Sequence, residues 1–217
     1  MKALLFKELK LAMHPTTYLF MAIGAMLMIP SYPYYVAFVY TCLGIFFIFL
    51  TARENKDIFF TASLPVRKSD VVKSRVFTIA IIELLQLAIG IPFAIIGIRI
   101  NPNAAGNMAG IEANVAFFGL VLIMYGIFNV IYLPLFYKTA VKVGTPLIFA
   151  SIAVTIYVVA VELVVQMIPF LKTHLDTTDP AMAIYQFPIL IAGMLIFPLA
   201  LWLTYRKSAA NFEKVDL

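Results

Sequence analysis

Nowhere in this sequence does lysine follow glycine, so the glycine-lysine core of a nucleotide-cradling P-loop is absent. No Gly-x-Ser-x-Gly run offers a nucleophile elbow, and no His-Glu-x-x-His run offers a zinc site. Histidine occurs twice, as His14 and His174, and cysteine once, as Cys42. A lone cysteine excludes an intrachain disulfide and a thiolate metal cage, and no His/Cys/Asp cluster has ligand spacing. Charge is scarce as well, at 12% of residues against about 25% in soluble domains. We therefore expect neither an enzyme nor a chain that holds its own metal or cofactor, with no catalytic residue to nominate.

What is abundant is apolar surface. The 217 residues are 63% hydrophobic with a mean hydropathy of +0.98, more than a soluble fold of this size can bury, so lipid must cover the remainder. Six runs approach the roughly 20 apolar residues that cross a bilayer: 15–29, 34–50, 76–98, 115–136, 145–168 and 188–205. The first is short. Prolines 15, 92, 134, 146, 169 and 188 are expected near run ends, where a missing donor costs least. The net charge of +5 invites a nucleic-acid reading, but its distribution argues otherwise. With the N-terminus in the cytoplasm, 14 of the 16 Lys and Arg residues fall inside and only Arg99 and Lys172 outside. The positive-inside rule then places both termini and the segment between spans two and three in the cytoplasm. The expectation is an all-α polytopic integral membrane protein, a single transmembrane domain over 1–217, in a bacterial plasma membrane, without a nucleic-acid partner.

Lys7, Lys10 and His14 recur at i, i+3 and i+7 within residues 1–14, while Leu4, Leu5 and Leu9 point elsewhere. This reads as an amphipathic interfacial helix before Pro15, the alternative being a basic flank that runs straight into the first span. The basic start followed by Ala22-Ile23-Gly24 has the outline of a cleaved leader, but the apolar run continues to Ile29 and retention is expected. Outside, residues 99–114 and 172–187 read as connecting loops, with Asp179 before Pro180 as the N-cap of a short surface helix.

Within the spans, Glu83 and Gln86, Asn129, and Glu162 and Gln166 are the polar exceptions. A carboxylate facing lipid costs several kcal/mol, so these residues should face the bundle, a partner or water. Two roles stand: interhelical hydrogen bonds of about 0.6–2 kcal/mol each, or a transport path.

The segment 54–75 differs from its surroundings, with eight charged residues in 22 between two apolar runs. Asp57, Ile58, Phe59, Phe60, Leu64, Pro65, Val66, Arg67 and Lys68 offer apolar, aromatic and basic side chains around a proline break. Ile58, Phe59 and Phe60 are expected to be exposed, either to a partner protein or dipping into the bilayer interface. Ser69 is the expected N-cap of a helix that continues into span three, with Asp70 in its first turn.

The run SLPVRKSDVVKSR, together with the six spans and the N-terminal helix, resembles ABC-2-type transporter membrane subunits. It is similar in particular to the small permeases of exporters for phenol-soluble modulins and antimicrobial peptides. The resemblance implies that residues 1–14 form an elbow helix and that 55–70 hold a coupling helix seated on a separate ABC ATPase. It further implies two ATPase copies carrying ATP and Mg2+, a second membrane subunit, identical or homologous, and an amphipathic substrate. The rival reading is a secondary transporter or channel with Glu83 and Glu162 as proton or cation sites.

Overall fold

The computed structural model of the protein describes residues 2–100 and 106–215; Met1 of the expected elbow, loop positions 101–105 and the last two residues of the 1–217 domain lie outside them. Among the described residues every regular element is helical. Helix α1 (Lys2–Lys7) continues through a wider π-type turn over Glu8–Ala12, and the chain then bends by 69° into α2 (Pro15–Ala22). His14 caps α2 by accepting from the Thr16 N–H at 3.2 Å, and Pro15 takes the first helical position, where no donor is needed. Helix α2 tightens into a 3-10 segment at Ile23–Met28. These 8 and 6 residues reach about 24 Å, short of the roughly 30 Å hydrocarbon core.

Among the described residues five helices are long and apolar enough to cross a membrane, and the bent N-terminal pair makes a sixth crossing if counted as one broken span. They are α3 (Tyr34–Glu54), α5 (Lys68–Ile100), α6 (Val115–Phe136), α7 (Gly144–Met167) and α9 (Ala183–Glu213), with α4 (Asp57–Ala62) and α8 (Pro169–Leu175) as short connectors. Helix α5 runs without a break from the charged segment through span three. Its 33 residues extend about 50 Å, some 20 Å beyond the hydrocarbon thickness. Its first turn starts at Lys68, with the Arg67 carbonyl accepting from Asp70, so Ser69 lies inside that turn rather than capping it. Pro92, expected near a run end, is interior to α5, and Pro188 is interior to α9 with Pro198. Spanning helices tolerate such breaks because neighbouring groups satisfy the freed backbone. In the last turn of α6 the Asn211 amide from α9 donates to the Pro134 carbonyl at 2.8 Å.

The core lies along α6, whose spanning window is 67% buried against 17% for α7. Small residues set its tightest contact. A Cβ built on Gly119 would lie 2.6 Å from the Ile189 carbonyl, one on Gly193 would overlap the Gly119 carbonyl, and Gly126 meets Ala200 at 3.0 Å. Because 119 and 126, like 193 and 200, are two turns apart, one glycine-lined stripe of α6 meets one of α9. Against α3 the contact is aromatic, with Phe49 edge-on to Phe136 at 4.5 Å and Phe38 edge-on to Phe117 at 5.6 Å.

The basic segments gather at one end of this bundle. Lys7 reaches Asp57 at 2.8 Å, the Lys68 ammonium donates to the Val215 carbonyl at 2.7 Å, and Phe212 packs on Tyr137. At the opposite end the loops do more than connect. The Asn114 amide donates to the carbonyls of Leu175 (2.6 Å) and Thr177 (2.9 Å), and the Glu112 N–H donates to Asp176 at 3.0 Å. Asp179 does accept from Ala181, yet it starts one 3-10 turn (Pro180–Met182) leading straight into α9. The separate short helix at this end is α8, one loop earlier.

Candidate coupling site and buried polar clusters

A turn through Lys56, held in the left-handed region at φ 52°, redirects the chain from α3 into α4. The six residues of α4 then divide by face. Ile58 is buried at 3% exposure and packs in the core, which corrects the expectation that it is exposed, whereas Phe59 (44%) and Phe60 (64%) point away. The Thr61 hydroxyl turns inward to the Asp57 carbonyl. After α4 the Val66 N–H closes a tight turn onto the Leu64 carbonyl around Pro65. Leu64, Pro65 and Arg67 are exposed, while Val66 packs on the core and Lys68 is tied to Val215 and lies over the Phe212 ring. Of the nine residues nominated from sequence, Phe59, Phe60, Leu64, Pro65 and Arg67 thus form an outward patch, and Asp57, Ile58, Val66 and Lys68 anchor it.

The anchor is electrostatic at its centre. Arg75, 1% exposed, lies 2.8 Å through Nε from Glu8 and donates through Nη2 to Asp57 at 2.9 Å. Its guanidinium also sits over the Phe49 ring, with Cζ 5.3 Å from the centroid. The Glu8 contact is an ion pair whose angle falls outside hydrogen-bond geometry. Lys7 completes the cluster, donating to both Asp57 oxygens at 2.8 and 3.0 Å and to Thr61 at 2.7 Å. One buried arginine therefore joins the N-terminal segment, α4 and α5. The sequence reading used Lys7 for orientation and for the polar face of residues 1–14, used Arg75 for orientation, and assigned no role to Glu8. The available signal was Arg75 itself, standing directly before the apolar run that begins at Val76.

The polar span residues separate into two groups. Glu83 on α5 is fully buried and both its oxygens accept from the Asn129 amide on α6, at 3.0 and 2.9 Å. Gln86, one turn further along α5, is fully buried beside Gly24. Glu162 and Gln166 instead belong to the far end of α7. The Glu162 carboxylate accepts from the Ile111 N–H at 3.1 Å, and the Gln166 amide donates to Asp176 at 2.8 Å, so both clasp loops. Glu83 and Glu162 are not brought together. In that loop cluster, burial raises the Glu112 carboxyl above its ordinary range and the Asp176 charge adds to the rise, against the Asn107 N–H.

Between α5 and α9, at the basic end, lies an open apolar groove of about 400 Å3 lined by Lys73, Val76, Phe77, Ala80, Trp202 and Tyr205 among others. Among the described residues no group of three or more His, Cys, Asp or Glu side chains is placed to hold a metal ion.

No curated protein and no solved structure matches the sequence. A family model described as ABC-2 family transporter protein matches residues 3–178, from the N-terminal helix through α8. With that span of the chain matched and a bundle of apolar spanning helices, the protein belongs to the ABC-2 family of transporter proteins and is a multi-pass membrane permease of that type.

Proposed function

We propose that this chain is the permease subunit of an exporter driven by a separate ABC ATPase, which docks on the α4 segment. One observation carries this reading: α4 is fixed on one face to α5 through the Arg75 cluster and presents two adjacent phenylalanines on the other. Exposed aromatics of this kind are what a partner's pocket takes up. Displacement of α4 is delivered through Asp57 and Arg75 to a helix of about 50 Å.

In this reading both termini and α4 are cytoplasmic, the membrane is a bacterial plasma membrane, and ATP with its Mg2+ binds the partner. Two ATPase copies serve two membrane subunits, identical or homologous. The substrate is an amphipathic molecule, a peptide by the resemblance to phenol-soluble modulin exporters, taken from the cytoplasm or inner leaflet. Glu83 and Asn129 hold α5 to α6 between transport events.

The test is co-purification with the ATPase, with hydrolysis and export measured. Removing two central aromatic anchors commonly costs more than about 2 kcal/mol, or roughly thirtyfold in affinity. Phe59→Ala with Phe60→Ala should therefore release the ATPase or uncouple it, whereas Phe149→Ala, exposed on the distant α7, should change nothing. Arg67→Glu should weaken association more mildly and in a salt-dependent way. Co-elution, hydrolysis and export all at wild-type level in the double-alanine variant would overturn the assignment.

A further inference from the structure

The groove between α5 and α9 has a composition that selects its occupant. Its walls are Val76, Phe77 and Ala80 on one helix and Pro198, Leu201 and Trp202 on the other, apolar apart from the rim. Small side chains create it, because Ala80 and Pro198 leave the two helices without bulk to fill the space. Lys73 stands at the rim on α5, and Arg206 stands one turn beyond Trp202 with its guanidinium 5.0 Å from that ring. The carboxylates nearest in sequence, Asp70 and Glu213, pair with neither cation, and no other ion pair to Lys73 or Arg206 is formed among the described residues. Tyr205 adds a hydroxyl at the same level, and Trp and Tyr favour the depth where acyl chain meets headgroup.

We propose that this groove is a binding site for an anionic glycerophospholipid, one acyl chain lying along Val76, Ala80 and Leu201 and the phosphate facing Lys73 and Arg206. A volume of about 400 Å3 falls within the roughly 300–1,000 Å3 of small-molecule sites. From Lys73 to Ala80 the wall rises two helical turns, about 10 Å, so the groove takes the upper part of a chain and leaves the rest in the bilayer. Charge complementarity sets the headgroup: two cations without protein carboxylates disfavour a zwitterion relative to a net anion. The site is independent of ATPase docking, since it uses no residue of α4 or of the Arg75 cluster.

Trp202 is the single tryptophan of the chain and lines the groove while half exposed, so tryptophan emission reports on the lipid at this one position, and a preference between lipids reports on the site. The purified full-length protein is placed in phosphatidylcholine vesicles containing either phosphatidylglycerol or phosphatidylcholine with brominated acyl chains, which quench tryptophan on contact. Brominated phosphatidylglycerol should quench at a lower mole fraction, the preference falling about fivefold for each basic side chain removed by Lys73→Gln or Arg206→Gln. Lys73→Arg with Arg206→Lys should keep the preference, and so should Lys138→Gln with Lys207→Gln, which removes cations from the same end but outside the groove. Equal quenching by both lipids in the wild-type protein overturns the proposal. So does a preference that survives Lys73→Gln with Arg206→Gln, or one lost equally when Lys138 and Lys207 are replaced, since either result makes the attraction a property of the whole basic surface.

Discussion

Arg75 is the residue on which three separate segments depend, and its burial sets the consequence of losing it. Removing one partner of a buried ion cluster leaves the others desolvated, commonly at about 3–5 kcal/mol. Arg75→Met should therefore lower the thermal stability of the purified protein steeply, and Glu8→Gln in the same chain should restore part of it. The restoration expected for groups in direct contact is about 0.5–3 kcal/mol in a double-mutant cycle read by thermal melting. Strict additivity of the two variants would mean that the 2.8 Å approach carries no energy. Lys7→Met should be milder, because that ammonium keeps 17% of its side chain exposed and loses less on being unpaired.

Among elements, the α6–α9 seam tolerates least change. A side chain at Gly193 meets the Gly119 backbone, which cannot rotate aside as a side-chain tip would. Gly193→Leu should cost more than the roughly 1–3 kcal/mol of ordinary overpacking, with melting and detergent resistance both falling. Gly144→Ala is the control, since nothing lies within 4 Å of its added carbon and the melt should not move. Helix identity was legible in the sequence wherever an apolar run was long: α3, α5, α6, α7 and α9 all appear where hydropathy placed them. Their ends were less legible. Hydropathy stops at the lipid boundary, whereas the backbone of α5 keeps bonding through Lys68 and that of α9 through Glu213. The first span was legible only as short, and its 3-10 finish over Ile23–Met28 carries no sequence signal. The exposure of Phe59 and Phe60 was legible in composition, but the inward turn of Ile58 was not, because one helical turn carries too few residues to show a period. The Arg75 cluster was hidden because its members lie 50 and 18 positions apart, a pairing that only the fold supplies.

For the whole molecule, the gathering of basic segments at one end predicts a topology. With native Cys42 buried and silent, Ser63→Cys should stay unlabelled by an impermeant thiol reagent in intact cells, while Met108→Cys, at 82% exposure, should react. The reverse pattern would invert the orientation drawn from the charge asymmetry. The glycine stripe of α6 also bears on how the bundle is made. Its partner stripe lies on α9, the last of the described helices to leave the ribosome, and ordinary synthesis at about 5–20 residues per second separates Gly119 from Gly193 by about 4–15 s. During that interval a nascent chain with its earlier spans inserted still presents the bare backbone of Gly119 and Gly126 to lipid or to membrane chaperones. Closure is thus a post-insertion event dependent on one late helix, and chains stalled or clipped before α9 should be recognised by membrane quality control through that uncovered glycine face.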